Sequence, residues 1–180
     1  MIRRPPRSTL DRSSAASDVY KRQAIAVLGA VSTWFHTSLL AGTYIVWIGF
    51  VAWGAYFANG ANEKALKDTA VCGVFGAIVA TVALILANNM PIAGDYNVPI
   101  WVGITVFILV WSSQVASLSN IPTAVYGYAC MAGYALLTGA SVMDLTSASA
   151  SNPLWAVAVS IVLGSVFGAL SGRLSGALEK

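Results

Sequence analysis

The chain has 180 residues, of which 57% are hydrophobic and only 9% are charged. Soluble domains typically carry about 25% charged residues, so this composition excludes an ordinary soluble protein and indicates an integral membrane protein. The formal charge of +3 does not indicate a nucleic-acid partner, because most of the cationic residues precede Ala24 and the remainder of the chain is close to neutral.

The first 23 residues differ in composition from everything that follows. Their sequence, MIRRPPRSTLDRSSAASDVYKRQ, resembles a translated sequencing adapter; a basic cytoplasmic tail and a signal peptide are the alternatives. A signal peptide is disfavoured because no small-residue cleavage site follows a short apolar stretch. We expect residues 1–23 to be disordered and the natural start of the first apolar segment to be missing.

Six continuous apolar segments follow, and each is about as long as the 20 or so residues that a membrane-spanning helix needs. They occupy approximately residues 24–41, 43–59, 66–87, 98–118, 122–139 and 154–176. None alternates between apolar and polar residues, as a membrane barrel would require. The sequence therefore predicts an all-α integral membrane protein in which residues 24–180 form one domain of six transmembrane helices.

Three asparagines indicate where the later helices begin. Asn97, Asn120 and Asn152 each precede a proline by one or two residues. An asparagine side chain can cap a helix N-terminus, and proline is tolerated in the first helical turn because its missing amide would be unpaired there. We therefore expect segments four, five and six to begin at these residues.

The sequence also contains an internal repeat. The four residues VFGA at positions 74–77 recur at positions 166–169. Aromatic and small residues upstream of each copy match as well, in these pairs: Gly49 with Gly127, Ala52 with Cys130, Ala55 with Gly133, Tyr56 with Tyr134 and, with a slip of one residue, Trp34 with Trp111 and Thr37 with Gln114. Each copy, at about residues 24–88 and 98–177, contains three segments. An odd number inverts the second copy in the bilayer, so we predict two inverted three-helix repeats, an arrangement typical of transporters.

The charged residues predict the orientation. Lys64 and Lys67 lie between segments two and three, and Arg173 and Lys180 lie at the end of segment six. The connections on the other side, residues 88–97 and 138–152, contain no lysine or arginine. Positive residues face the cytoplasm in inner-membrane proteins, so both termini are expected to be cytoplasmic.

Polar side chains within two segments are candidates for a solute path. No acidic or basic side chain lies near the middle of a segment, which argues against a proton-driven pump. Two uncharged polar clusters occur instead, and the repeat pairs them: Thr33, His36 and Thr37 in segment one, and Ser113, Gln114 and Ser117 in segment four. We expect them to meet near the centre and bind a neutral polar solute; alternatively, they only hydrogen-bond neighbouring helices.

Glycines follow a regular spacing in segment six. Gly164, Gly168, Gly172 and Gly176 recur every four residues, and Gly73 and Gly76 form a shorter version in segment three. Such glycines let another helix approach closely. They predict either an oligomer contact or close packing within one protomer.

No catalytic or metal-binding pattern is present. Cys72 and Cys130 lie in apolar segments without metal-ligand spacing and are interpreted as small packing residues. The sequence offers no nucleophile with a nearby base and no carboxylate pair, so we expect neither an enzyme nor a cofactor or metal.

Two stretches carry a family resemblance. Residues 47–58, WIGFVAWGAYFA, with the small polar loop after them, and residues 122–134 resemble the domain-of-unknown-function 1097 family of bacterial inner-membrane proteins, the YcdZ-like proteins. The resemblance extends from about Ala24 to the C-terminus. It implies an inner-membrane protein of this size and brings no catalytic or binding residue.

Two functions are therefore expected from the sequence. The first is a channel or facilitator for a small uncharged solute such as urea, an amide or water. The second is a non-transporting membrane subunit that acts through helix contacts. The expected partners are the lipid bilayer and further copies of the chain, and nucleic acid is not among them.

Overall fold

The computed structural model describes the backbone of residues 8–92, 94–149 and 151–178, and the side chains of residues 19–92, 94–149 and 151–177. These residues form helices and connecting turns and no strand. The helices are α1 (Ser8–Thr37), α2 (Val46–Ala58), α3 (Glu63–Asn89), α4 (Asn97–Trp111), α5 (Ile121–Thr138), α6 (Val142–Thr146) and α7 (Pro153–Leu178). Short 3-10 turns at Gly94–Tyr96, Ser112–Gln114 and Ala116–Leu118 flank α4.

Three stretches within the described residues are long and apolar enough to cross a membrane. They are Glu63–Asn89, Gly94–Gln114 and Pro153–Ala177, which match predicted segments three, four and six. The sequence-based prediction of an all-helical chain with membrane-spanning character is thereby confirmed. The apolar helix α2 has only 13 residues, so it is about 20 Å long at the usual rise of 1.5 Å per residue.

The N-terminal segment differs from its prediction. Helix α1 begins at Ser8, whereas residues 8–23 were expected to be disordered; residues 1–7 lie outside the described part of the chain. Residues 8–23 contain no proline or glycine. Adding a residue to an existing helix is much easier than starting one, so the helix of segment one extends backwards through them.

Helices α4, α5 and α7 begin at or directly after the three predicted asparagines, and at α5 and α7 the asparagine side chain caps the start. Asn120 Oδ1 accepts a hydrogen bond from the Thr123 amide at 3.1 Å at the start of α5, and Asn152 Oδ1 accepts from the Leu154 amide at 2.8 Å at the start of α7. Asn97 behaves differently, since its Nδ2 donates to the carbonyl of Ala87, in the last turn of α3, at 2.6 Å, and its Oδ1 accepts from the Ile92 amide in the connection at 3.1 Å. It ties α4 to the end of α3.

Helices α3 and α7 contact each other at the centre of the bundle. Helix α5 packs on α3 and α2 packs on α7, while α4 and α1 lie further out against α3 and α7 respectively. Two hydrogen bonds set the direction of α2: the Ile45 amide donates to Ser160 Oγ at 2.7 Å, and Trp53 Nε1 donates to Ser171 Oγ at 3.1 Å. Because both numbers increase together, α2 and α7 run parallel.

Candidate functional site

Helices α3 and α5 cross with their backbones in contact. A Cβ atom added to Gly127 would overlap the carbonyl group of Gly73, and one added to Gly76 would overlap the carbonyl group of Ala124. Only glycine allows this approach at both positions. The two glycines let the backbones of α3 and α5 touch, and such close packing holds helices together in lipid, where the hydrophobic effect does not drive their association.

Helices α2 and α7 cross in a related way. A Cβ atom on Gly164 would overlap the backbone of Gly49, whereas one on Gly168 would meet the rings of Tyr56 and Trp53. Two members of the glycine series in α7 therefore pack within the protomer. The other two are less enclosed: Gly172 has only Tyr56 Oη nearby, at 3.9 Å from its added Cβ, and Gly176 has open space.

A small cavity lies where these four helices meet. Its volume is about 10 Å³, close to the minimum that accommodates one water molecule. Its lining carries no charged side chain and includes six residues that the offsets of the internal repeat arrange in three pairs: Ile48 with Tyr126, Ala52 with Cys130 and Thr69 with Ile161. The lining therefore includes residues from both halves of the sequence repeat.

A network of amide and hydroxyl groups lies beside this cavity and includes two of the residues that line it. Asn59, just after α2, donates through Nδ2 to Thr69 Oγ1 at 3.1 Å and to Thr123 Oγ1 at 3.0 Å. Asn120 Nδ2 donates to Asn59 Oδ1 at 2.9 Å. Both threonines are buried, and both also line the cavity. The network therefore joins α2, α3 and α5 immediately beside the central cavity.

Two larger open grooves lie along α3 and α7. One, of about 590 Å³, runs between the middle of α3 and the start of α7 and includes Val74, Ile78 and Trp155. The other, of about 610 Å³, runs between the start of α3 and the end of α7 and includes Leu66 and Arg173. The two grooves are thus at opposite ends of the central helix pair.

The polar cluster predicted in segment one lies at the end of α1. His36 Nδ1 is 2.6 Å from the backbone oxygen of Tyr44. Thr33 Oγ1 donates to the Gly29 carbonyl at 2.9 Å, and Thr37 Oγ1 donates to the Thr33 carbonyl at 3.3 Å. These hydroxyls therefore bond their own helix, and the histidine bonds the residue two positions before α2.

The cluster predicted in segment four lies at the other end of the bundle. Ser113 and Gln114 belong to the 3-10 turn after α4, and Ser117 belongs to the next one. The backbone oxygen of Ser117 accepts from the Cys72 thiol at 3.5 Å, and the nearby Asn120 bonds Asn59 at the end of α2. Since His36 lies beside the start of α2, the length of that helix separates the clusters, about 20 Å. The structure does not bring them together, so the expectation that they meet near the centre is wrong.

The central cavity was not predicted, although the repeat contained a signal for it. Ala52 and Cys130 were recognised as a repeat pair, and their small side chains leave room between four helices. The amide network had a weaker signal, because Asn59 and Asn120 are 61 residues apart in sequence. Only the tertiary structure joins them.

The fold and the site define a class: an all-helical protein with helices able to span a membrane, packed on glycines around a charge-free centre. The chain belongs to the family described as protein of unknown function (DUF1097), whose model matches residues 24–176. The resemblance noted in the sequence is thereby confirmed. No curated protein and no solved structure matches the chain.

Proposed function

We propose that this protein is a bacterial inner-membrane channel or facilitator for a small uncharged solute such as urea, an amide or water. The single observation that carries the proposal is the central cavity, which repeat-related residues line in pairs. Transporters built from inverted repeats bind their substrates at the interface between the repeats, near the middle of the bilayer.

The chemistry of the cavity supports an uncharged solute. Thr69 and Thr123 supply hydroxyl groups, and Cys130, Ala52 and Ile161 supply apolar or weakly polar surface. A charged solute would lose its hydration there without gaining a partner of opposite charge, which is costly inside a membrane. A neutral solute that needs only one or two hydrogen bonds fits this lining better.

The proposal includes six membrane-crossing helices, α1 to α5 and α7, arranged as two inverted repeats. The packing supports this arrangement. In one half of the repeat, α5 and α4 pack on α3; in the other, the corresponding helices α2 and α1 pack on α7. Helix α2 is shorter than the bilayer core, which is about 30 Å thick. One face of α2 is buried against α7, and its other face, which includes Trp47 and Val51, is exposed; a span shorter than the bilayer core is accommodated by local thinning of the bilayer.

The orientation follows from the positive residues, with both termini in the cytoplasm. Lys64 and Lys67 lie near the start of α3, and Arg173 lies near the end of α7. The start of α3 and the end of α7 both line the groove that includes Leu66 and Arg173. The amide network of Asn59 and Asn120 then lies toward the cytoplasmic face.

Stopped-flow light scattering on proteoliposomes containing the full chain tests the proposal. The vesicles are challenged in turn with urea, acetamide, glycerol and a plain osmotic step. We expect faster re-swelling than in protein-free liposomes for at least one small uncharged solute. Equal rates for every solute, with the protein shown to be folded, would remove the facilitator.

The same assay separates the central path from the one predicted from sequence. His36 and Gln114 belong to the outer part of the bundle, at its two ends. His36→Leu and Gln114→Leu are expected to leave the solute flux unchanged. If either substitution abolishes flux in a folded protein, the polar clusters on α1 and α4 form the path and the central cavity does not.

A non-transporting membrane subunit is the second candidate. The observation that favours it is the tight closure of the centre, where the cavity has room for about one water molecule. Gly176, with no atom near its added Cβ, leaves the end of α7 available to another helix. This function would be preferred if the folded protein gives no flux.

A further inference from the structure

We propose that Asn59 and Asn120 form a gate at one end of the central cavity and make the path selective for solutes that carry a carboxamide or urea group. This inference rests on the proposed function and names its substrate class and the residues that select it.

The position of the pair supports a gate. Asn59 follows the last residue of α2, and Asn120 precedes the first residue of α5. Their mutual hydrogen bond of 2.9 Å joins two helices that otherwise make few contacts. Thr69 and Thr123, which accept from Asn59, belong to the cavity wall. Movement of one asparagine therefore changes both the end of the cavity and the hydroxyl groups inside it.

The chemistry of the pair supports selection of amides. Each carboxamide offers a carbonyl acceptor and two N–H donors. Acetamide offers the same groups and urea offers a carbonyl with two NH2 groups, so either can replace one asparagine in the hydrogen bond to the other with the same planar geometry. An alcohol such as glycerol cannot satisfy the carbonyl and the N–H group with the same planar geometry, and an unpaired buried polar group is costly.

The opposite end of the cavity region is closed differently. There the amide of Ile45 donates to Ser160 Oγ, which itself donates to the Ala156 carbonyl at 2.6 Å. A backbone amide cannot move away without displacing its helix, whereas an asparagine side chain can rotate. One end therefore depends on a backbone amide and the other on two asparagine side chains. Only the asparagine pair can be opened by a solute without moving a helix.

Flux selectivity tests the gate. In full-length protein reconstituted into liposomes, the acetamide permeability is divided by the glycerol permeability, for the wild type and for Asn59→Ala. Losing the hydrogen-bonding group of the half-buried Asn59 is expected to lower this ratio by roughly threefold to tenfold, chiefly through faster glycerol entry. The matched control is Asn88→Ala, because Asn88 is exposed and bonds only the Leu84 carbonyl of its own helix; its ratio should equal that of the wild type.

Three results would overturn the gate, and they can be distinguished. If the wild type passes no solute, the facilitator fails and the gate fails with it. If the wild type passes acetamide and glycerol equally well, or if folded Asn59→Ala keeps the wild-type ratio, the gate alone is wrong. If Asn59→Ala does not fold, Thr123→Val is used instead. This variant removes one of the two acceptors of Asn59 but keeps both asparagines, and it must lower the same permeability ratio.

Discussion

The crossing of α3 with α5 and the crossing of α2 with α7 are both packed on glycines but differ in what faces those glycines. At the first, Gly76 and Gly127 both meet the backbone of the partner helix. At the second, Gly164 meets backbone, whereas Gly168 meets the rings of Tyr56 and Trp53. Backbone cannot yield without moving a whole helix, while a ring can rotate. The first crossing is therefore expected to be rigid and the second adaptable.

The largest effect is expected at the rigid crossing. In Gly76→Ala the new methyl group overlaps the Ala124 carbonyl and approaches the Tyr128 amide. Overpacking of this kind typically costs about 1–3 kcal/mol, and we expect about 3 kcal/mol or more because both neighbours are backbone. Denaturant unfolding in detergent measures the loss. The matched control is Gly103→Ala, where nothing lies within 4 Å of the added Cβ; equal stability of the two variants would contradict the comparison.

A smaller effect is expected at the adaptable crossing. In Gly168→Ala the new Cβ meets the Tyr56 ring, which can shift. We expect a loss of about 1 kcal/mol, at the low end of overpacking costs. The same unfolding assay applies. A loss of stability as large as that of Gly76→Ala would mean that the rings facing Gly168 yield no more easily than the backbone facing Gly76.

The indole of Trp53 makes a third, weaker contribution. Its Nε1 donates to Ser171 Oγ, and its ring stacks on Phe167 with centroids 6.0 Å apart. Trp53→Phe removes the hydrogen bond while retaining a ring, so we expect a loss near 0.6 kcal/mol and below about 1.7 kcal/mol, the range measured between membrane helices. Trp47→Phe is the control, because Trp47 is exposed. A loss of several kcal/mol would show that the α2–α7 crossing depends on this bond.

The smallest effect lies outside both crossings, in α6. Ser141 and Asp144 cap each other, and the hydrogen bonds from the Ser141 side chain and backbone lower the pKa of the exposed Asp144 carboxyl. A carboxyl with a lowered pKa stabilises the folded state above its ordinary pKa of 3.8, and this stabilisation is lost as the pH falls through the lowered value. The protection of the Leu145 amide, which donates to the Ser141 carbonyl, is its exchange rate compared with the intrinsic rate at the same pH, and it should therefore decrease at acid pH. In Asp144→Asn this protection should be low at neutral pH as well; a wild-type protection that does not change with pH would refute the cap.

Sequence reasoning located most helices because their signals are local. The asparagine before Pro122 and the long apolar run of α3 give the start of α5 and most of the extent of α3 without tertiary information. It did not anticipate that α1 begins at Ser8, because the polar and unusual composition of residues 8–23 gave no helix signal. It also missed α6. Ser141 followed three residues later by Asp144 is a capping signal, but the connection that contains it was interpreted only for its charge.

The candidate site was harder to predict because it is a cavity, which small side chains leave open between the helices. The polar clusters containing His36 and Gln114 attracted a functional interpretation, yet the direction of the helices puts them at opposite ends of α2. The cavity depends on Ala52 and Cys130 being small at the same level of two different helices. Which residues share a level is fixed by the glycine crossings, and those depend on which helices pair.

The most direct test of the central claim is chemical blockage of the cavity at Cys130, which lines it. In Cys72→Ala, Cys130 is the remaining cysteine, and it is modified with methyl methanethiosulfonate in proteoliposomes. If solute passes through the central cavity, urea or acetamide flux falls to the rate of protein-free liposomes and returns after dithiothreitol, whereas flux through the double variant Cys72→Ala, Cys130→Ala is unaffected. Unchanged flux, with complete modification of Cys130 shown by mass spectrometry, would contradict a path through the central cavity.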